Sequence, residues 1–441
     1  MVQLMCCKNG KSLVNVKNYS GEAMFHIENI LKHKIRTYRF ISISNLLLSI
    51  LMGFSVLALN AWAGTLPPEV QVTKSEIIDF EFDQTHALLT FTDRKSNLWI
   101  AKVDPVTGGF KPSNGRGLLV DTGAAFMSDF GNGPEWLTSF EGTEIVYTKY
   151  LPNQPKSPAT ARIAHAVSNN GVWTSNFIDD MVAYASPLGN SDKDDPIPRI
   201  TYQSALQSRD SHPFYWRELH DPESEELVPN TLGSVGSRRW VEGMHTIVFS
   251  STFTNDIGVV ETQCFLYDVE NKVLEQLTFD DGEKGAIFMW KAPEYNNEYV
   301  FFSMVNRNEI RVYRKIAKTE GADPIWTAIS SILAPRAIPN IWSPEFFTHN
   351  GESYIFFTLS PSPVILDMRI PTYLALTNLS GTGFRMLHNT KSLIRVRSDP
   401  ELFVTANGPY IYYNSYIPQT DTSPAAQDGV WRVDPGLGPT R

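Results

Sequence analysis

Five carboxylates in this sequence stand in or beside one recurring phrase: Glu135 after Pro134, Glu294 after Pro293, Glu345 after Pro344, and Asp399 and Glu401 on either side of Pro400. Two carboxylates roughly 5–10 Å apart, one kept protonated by its surroundings, are what glycosidic cleavage needs, which makes Asp399 and Glu345 the candidate catalytic pair. The same groups arranged in a ring could bind a cation or a polar ligand. A third reading is structural. A residue that recurs in repeat after repeat does one repeated job, such as accepting backbone N–H bonds at a strand end, and the recurrence weighs toward that role.

Trp136, Trp290 and Trp342 lie close to these acids. Their flat faces could stack on a sugar ring or clasp a peptide, although Trp in a layered sheet also fills the space between sheets. Together Glu135, Trp136, Trp290, Glu294, Trp342, Glu345, Asp399 and Glu401 mark where a ligand is expected. Elsewhere the chemistry is sparse. Asp192, Asp194 and Asp195 in "SDKDDP" lack the Gly and the distal Glu of a calcium loop. His212 and His220 flank "PFYWREL" without the helical spacing of a zinc peptidase. There is no nucleophile elbow, phosphate loop or dinucleotide fingerprint, so neither a metal nor a cofactor is expected.

The elements that position these groups follow from the spacing. Pro134, Pro293, Pro344 and Pro400 are separated by 159, 51 and 56 residues, the first interval close to three of the others. Degenerate copies are therefore expected between Pro134 and Pro293, near Pro198 and Trp240, and one more before Pro134, near Phe80. Each copy carries a run such as "EIVYT", "TIVFS", "YVFFS", "YIFFT" or "YIYYN", dense in β-branched and aromatic residues that suit a strand packed on both faces. Turns such as "HNGES", "FEGTE" and "ANGPY" precede these runs, with Gly or Asn where the chain must reverse. A further strand follows in "NLWIAKV", "CFLYDVE" and "TYLALTNL". Several short strands every fifty-odd residues, without helical periodicity, predict an all-β fold: a β-propeller of seven blades, with six or eight as alternatives, over residues 64–441.

Residues 1–63 differ from the rest. Lys32, Lys34, Arg36 and Arg39 precede "LLLSILMGFSVLAL", and Ala61 and Ala63 follow at the positions a signal peptidase reads, so a secretory signal cleaved after Ala63 is expected. An uncleaved anchor is the alternative, and Met24 is a plausible start. The full chain carries a formal net charge of −9; without the leader, 31 Lys/Arg face 45 Asp/Glu, or −14. So acidic a protein is poorly suited to nucleic acid or to an anionic membrane surface. Cys6 and Cys7 fall in the leader, which leaves Cys264 alone and rules out an intramolecular disulfide. The expectation is a monomer, periplasmic or secreted, with no membrane association after cleavage.

The stretch "LYDVENKVLEQLTFDDGEKGAIFMWKAPEYNNEYVFF" (Leu266 to Phe302) resembles the repeat of TolB-type, WD40-like propellers. In those, a strand ending in Leu-Thr and an acidic, Gly-containing loop lead into a Trp, a Pro-acid pair and an apolar strand. That resemblance implies a binding platform for a protein, peptide or glycan ligand. "WSPEFFTHNGESYIFF" and "DPELFVTANGPYIYY" are also similar to strands of propeller glycoside hydrolases, which implies the alternative: a carbohydrate-active enzyme with paired carboxylates at the channel mouth. A structural subunit of an envelope assembly is a third expectation.

Overall fold

The computed structural model describes residues 69–441 except 140–141, 207–212, 232–236, 255–256, 318–320 and 389–393. The leader expected at residues 1–63 lies outside the described residues, as does His212.

The described chain forms seven antiparallel sheets, each a blade of a β-propeller. Their innermost strands are Ile78–Asp83, Glu135–Ser139, Tyr184–Gly189, Arg238–Trp240, Lys284–Ala292, Asn340–His349 and Val396–Thr405, in blades 1 to 7. Each touches the next, and the seventh touches the first, so the ring closes around a central channel. Blade 7 is completed by the start of the chain: Val70–Thr73 pairs antiparallel with Ala426–Val433, placing Val70 opposite Arg432.

No single core holds the molecule. Seven apolar clusters each lie at one interface between neighbouring blades. Trp136, Ile145 and Tyr147 of blade 2 pack on Leu98 and Ile100 of blade 1, and Trp290, Val300 and Phe302 of blade 5 pack on Ile341, Ile355 and Phe357 of blade 6. The doubly apolar runs read from the sequence are the second strands of the blades, sandwiched on both faces. The Asn350-Gly351 turn has both residues at positive φ (51° and 82°), the geometry that matches the twist of a two-residue hairpin.

Two features of the repeat differ from the sequence expectation. In blade 3 the stretch at Pro198 leads into the second strand, Arg199–Ser204; the innermost strand is Tyr184–Gly189, which carries its own Ser186-Pro187. In blade 5, Pro293-Glu294 follows the innermost strand as a single 3-10 turn and so leaves the position that the other Pro-acid pairs occupy.

Candidate functional site

The recurring phrase marks a β-bulge. Asp79, Ser186, Ser343 and Asp399 stand at positive φ (49°, 56°, 43° and 56°) in the innermost strands of blades 1, 3, 6 and 7, where the ladder to the second strand slips. Pro187, Pro344 and Pro400 come next, and a residue without an N–H loses nothing where the ladder is interrupted. The following residue rejoins the ladder: Glu81 opposite Thr90, Leu188 opposite Thr201, Glu345 opposite Phe356 and Glu401 opposite Tyr412. In blade 2 the strand starts at this point, with Glu135 opposite Val146 after Gly133-Pro134. Gly133 has a steric cause, because a Cβ there would lie 2.4 Å from Cβ of Asp79.

In blade 4 the equivalent residue is Arg239, opposite Val248 and followed by Trp240 as Glu135 is followed by Trp136. The indole N–H of each Trp reaches back one blade to the same place: Trp136 donates to the Glu81 carbonyl (3.0 Å) and Trp240 to the Leu188 carbonyl (3.2 Å). The result is an asymmetric ring. Four successive blades, 6, 7, 1 and 2, contribute Glu345, Glu401, Glu81 and Glu135; Leu188 and Arg239 come from blades 3 and 4. Asp399 and Asp79, on the adjoining blades 7 and 1, add a second acidic layer two residues earlier.

These acids lie deep in the fold, and burial is the main cause that raises their pKa values. Glu135 and Glu345 are pushed up to about 7 and Asp79 to about 6, while Glu81, Asp399 and Glu401 rise well above the usual carboxylate range. Mutual repulsion adds to this: Glu81 feels Glu135, Glu345 and Asp399, and Glu401 feels Glu345, Glu81 and Asp399. Arg239 acts in the other direction on Glu345, Glu135 and Glu81. It does so across a gap. Its Nη1 donates to the Arg238 carbonyl (2.9 Å) and its guanidinium lies 4.9 Å over the Phe288 ring.

Among the described residues, the side chains of Glu81, Glu135, Glu345, Asp399 and Glu401 form neither a hydrogen bond nor a contact ion pair with another residue. Only Asp79 is tied down, accepting the Met127 backbone N–H (2.6 Å). An acidic surface with so few internal partners can take a cation, or can donate and accept protons with a bound hydroxyl.

The structure thus brings Glu135, Glu345, Asp399 and Glu401 together and sets Glu294 apart. Glu294 accepts the backbone N–H (3.1 Å) and the hydroxyl (2.8 Å) of Ser353 on blade 6, the kind of bond expected of the recurring acids, whereas Glu135, Glu345, Asp399 and Glu401, which stand at the repeat position, accept no backbone N–H among the described residues. Of the tryptophans, Trp136 and Trp290 are buried between blades, Trp290 stacked on Phe346 (4.3 Å, 16°) and donating to the Ser353 hydroxyl (3.0 Å). Trp342, also buried, lines a cavity of about 260 Å³ with Ser343, Pro344, Met304 and Ile365 on the face where the innermost strands begin, and Arg307 lies 5.4 Å over its ring. Asp195 is buried and paired with Arg199, and Asp192 caps its own loop at Asp194 N (2.9 Å). Among the described residues no group of three or more His, Cys, Asp or Glu is placed to hold a metal ion.

Asp79, Glu81 and Arg239 are members of the ring that the Pro-Glu phrase does not reveal. Asp79-Phe80-Glu81 has the acid spacing of Asp399-Pro400-Glu401 with Phe in place of Pro, and Arg239 stands before Trp240 as Glu135 stands before Trp136. Both signals are alignments to the other repeats, visible once the bulge fixes the frame.

No protein-family model and no curated protein sequence matches the chain. Among solved structures it is similar to the β-propeller domain of Cps50 (Swd1) from Myceliophteria thermophila, at 9% identity and a TM-score of 0.49, over 83% of this chain and 99% of that one. It is also similar to the Aleuria aurantia lectin AAL in complex with Fucα1-6GlcNAc, at 11% identity and a TM-score of 0.35, over 69% of this chain and 92% of that one.

Proposed function

We propose that this protein is an exported, TolB-like β-propeller that acts as a binding platform, taking a protein, peptide or glycan ligand at the mouth of its acidic channel in the periplasm or beyond the cell. The observation that carries this reading is the set of five channel carboxyls without a described side-chain partner. These side chains keep some exposure to the channel, Glu401 the least, so a cationic or hydroxyl-bearing group that enters it can reach them. The "LLLSILMGFSVLAL" segment between basic residues and Ala61 and Ala63 supports export.

The test is a thermal-shift screen of the protein against oligosaccharides, spermidine, divalent cations and basic and acidic peptides, since any ligand of the native state raises Tm by mass action. A shift that disappears in Glu345→Gln supports the reading. No shift with any member of the panel counts against an occupied channel.

One observation favours a second reading. Glu135 and Glu345, pushed up to about 7, are carboxyls that hold a proton near neutral pH beside other acids, the condition a glycosidic general acid requires. A carbohydrate-active enzyme would hydrolyse one of the oligosaccharides and lose that activity in Glu345→Gln and Asp399→Asn.

A further inference from the structure

The two faces of the ring differ in how their apolar side chains are placed. Among the described residues the most exposed large apolar side chains are Ile257 (83%), Phe279 (78%), Ile394 (75%), Leu333 (67%), Val260 (66%), Val172 (65%) and Leu206 (64%). All but Val172 belong to connections or strand ends on the face where the innermost strands begin: Leu206 and Ile257 follow second strands, Val260 opens a third strand, and Phe279, Leu333 and Ile394 end a blade or lead into the next. This is also the face of the bulges, the Trp342 cavity and the second acidic layer of Asp79 and Asp399. The apolar side chains rise from blades 3, 4 and 5 and from the connection between blades 6 and 7, whereas the acids line blades 6, 7, 1 and 2. Apolar side chains and acidic wall therefore share one face of the ring, the acids on its innermost strands and the apolar groups around them.

Large apolar side chains gathered on one face mark a contact surface, and the charge beside them restricts what can cover it. A bilayer with anionic headgroups would be repelled by the channel acids and by the chain's net negative charge. A small inorganic cation would satisfy the acids and leave the rim in water. A polypeptide with both characters satisfies both. We infer that this face docks a protein partner through an exposed segment in which a Lys or Arg is flanked by aliphatic or aromatic residues. The cationic side chain enters the mouth toward Asp399, Asp79, Glu345 and Glu401, and its apolar neighbours cover Phe279, Ile394 and the Trp342 cavity. This inference rests on the channel mouth being the binding site and adds the class of partner and the face it covers.

A random twelve-residue peptide library, displayed on phage and selected on the full chain, tests it. The expected result is enrichment of sequences with Lys or Arg between apolar residues. Synthetic copies should lose about tenfold or more in affinity when that Lys or Arg is replaced by Gln, and a similar factor against Glu345→Gln and, separately, against Phe279→Ser with Ile394→Ser. The two rim residues are exposed, so their replacement leaves the fold intact, and unchanged melting of that variant confirms it. Failure to enrich any sequence, enrichment of acidic or uncharged sequences, or binding that ignores the rim variant would overturn the inference. So would sedimentation with phosphatidylcholine vesicles that is lost in the rim variant, because the face would then belong to a lipid surface. The binding-platform reading survives these outcomes if a glycan or a small cation stabilises the protein in the thermal screen, so the two failures are distinguishable.

Discussion

Arg397 and Glu69, 328 positions apart in sequence, grip each other through two bonds, Nε to Oε1 at 2.6 Å and Nη2 to Oε2 at 2.9 Å. Both side chains are almost fully buried, and the Tyr413 hydroxyl donates to the same Oε1 at 2.5 Å. Glu69 immediately precedes Val70–Thr73, the strand that completes blade 7, so this pair ties the start of the described chain into the sheet formed by its end. A propeller has no continuous core, and its stability depends on every interface being closed. Glu69 secures the closing strand.

Replacing Glu69 by Ala takes the carboxylate from the buried Arg397 guanidinium, which keeps its Nη1 bond to the Thr372 carbonyl (2.8 Å), and breaking a buried pair from one side costs about 3–5 kcal/mol. Urea unfolding of Glu69→Ala should therefore show a markedly lower midpoint. The pH dependence has a definite sign. Burial alone would raise the Glu69 pKa, but the Arg397 and Tyr413 bonds hold it below the ordinary value. The stabilisation is therefore complete above the ordinary glutamate pKa near 4.5 and is lost as the pH falls through the lower, folded value. Acid unfolding followed by tryptophan fluorescence should begin at higher pH in Glu69→Gln than in the parent.

The same strand makes a second demand. Gly429 stands at φ 80°, and a Cβ there would lie 1.9 Å from the Thr73 carbonyl oxygen. Neither the backbone angle nor the space admits a side chain. Gly429→Ala should displace Val70–Thr73 and cost about 2 kcal/mol or more. Limited proteolysis should then cut near residues 69–76 under conditions where the parent resists.

The channel acids act in the opposite sense to Glu69. Their folded pKa values are raised, so the folded state binds protons more tightly than the unfolded chain does. That contribution is fully present below the ordinary carboxylate pKa and is lost as the pH rises through about 6 for Asp79 and about 7 for Glu135 and Glu345. The melting temperature should fall between pH 5 and pH 8. Glu345→Gln, which keeps the shape and removes the titration, should melt higher than the parent at pH 8 by the equivalent of ~1–3 kcal/mol and show little difference at pH 4.5. A parent curve that is flat across this range would show that folding does not raise the pKa values of these carboxyls.

How much of this was legible beforehand depends on which physical signal each residue carries. The blades were readable because a strand buried on both faces must be apolar at every position, as in "YIFFT" and "YVFFS", and that constraint repeats with the period of the ring. Glu135, Glu345, Asp399 and Glu401 were readable because the Pro at the bulge flagged them. Glu81 was not, since Phe80 occupies that place and packs into the interface with blade 7. Glu294 was misleading for the converse reason. Its Pro starts a 3-10 turn at the end of a strand, and Pro serves equally well at a bulge and at the first position of a turn. Positive φ at Ser343 and Asp399 left no sequence signal, because neither residue is Gly. The separation of apolar side chains from acidic wall was hidden as well, being a property of connections far apart in sequence that only closure of the ring brings onto one face.

The tryptophans allow the packing and ligand-stacking roles to be told apart. Trp136 is buried between blades 1 and 2, and its indole N–H satisfies the Glu81 carbonyl, whereas Trp342 lines an open cavity. Trp136→Phe keeps most of the apolar contact and leaves that carbonyl without its donor, a loss of about 1–3 kcal/mol. It should lower the melting temperature while leaving the affinity for any ligand found in the thermal screen within about twofold of the parent, since the change is confined to the interface. Trp342→Ala should do the reverse to affinity if the cavity is used, weakening binding about tenfold or more, as loss of a central aromatic anchor does. Titrating both variants with the same ligand by calorimetry separates the roles. Weakened binding in Trp136→Phe, or unchanged binding in Trp342→Ala, would move the site away from the Trp342 cavity and deeper toward Arg239 and the glutamates.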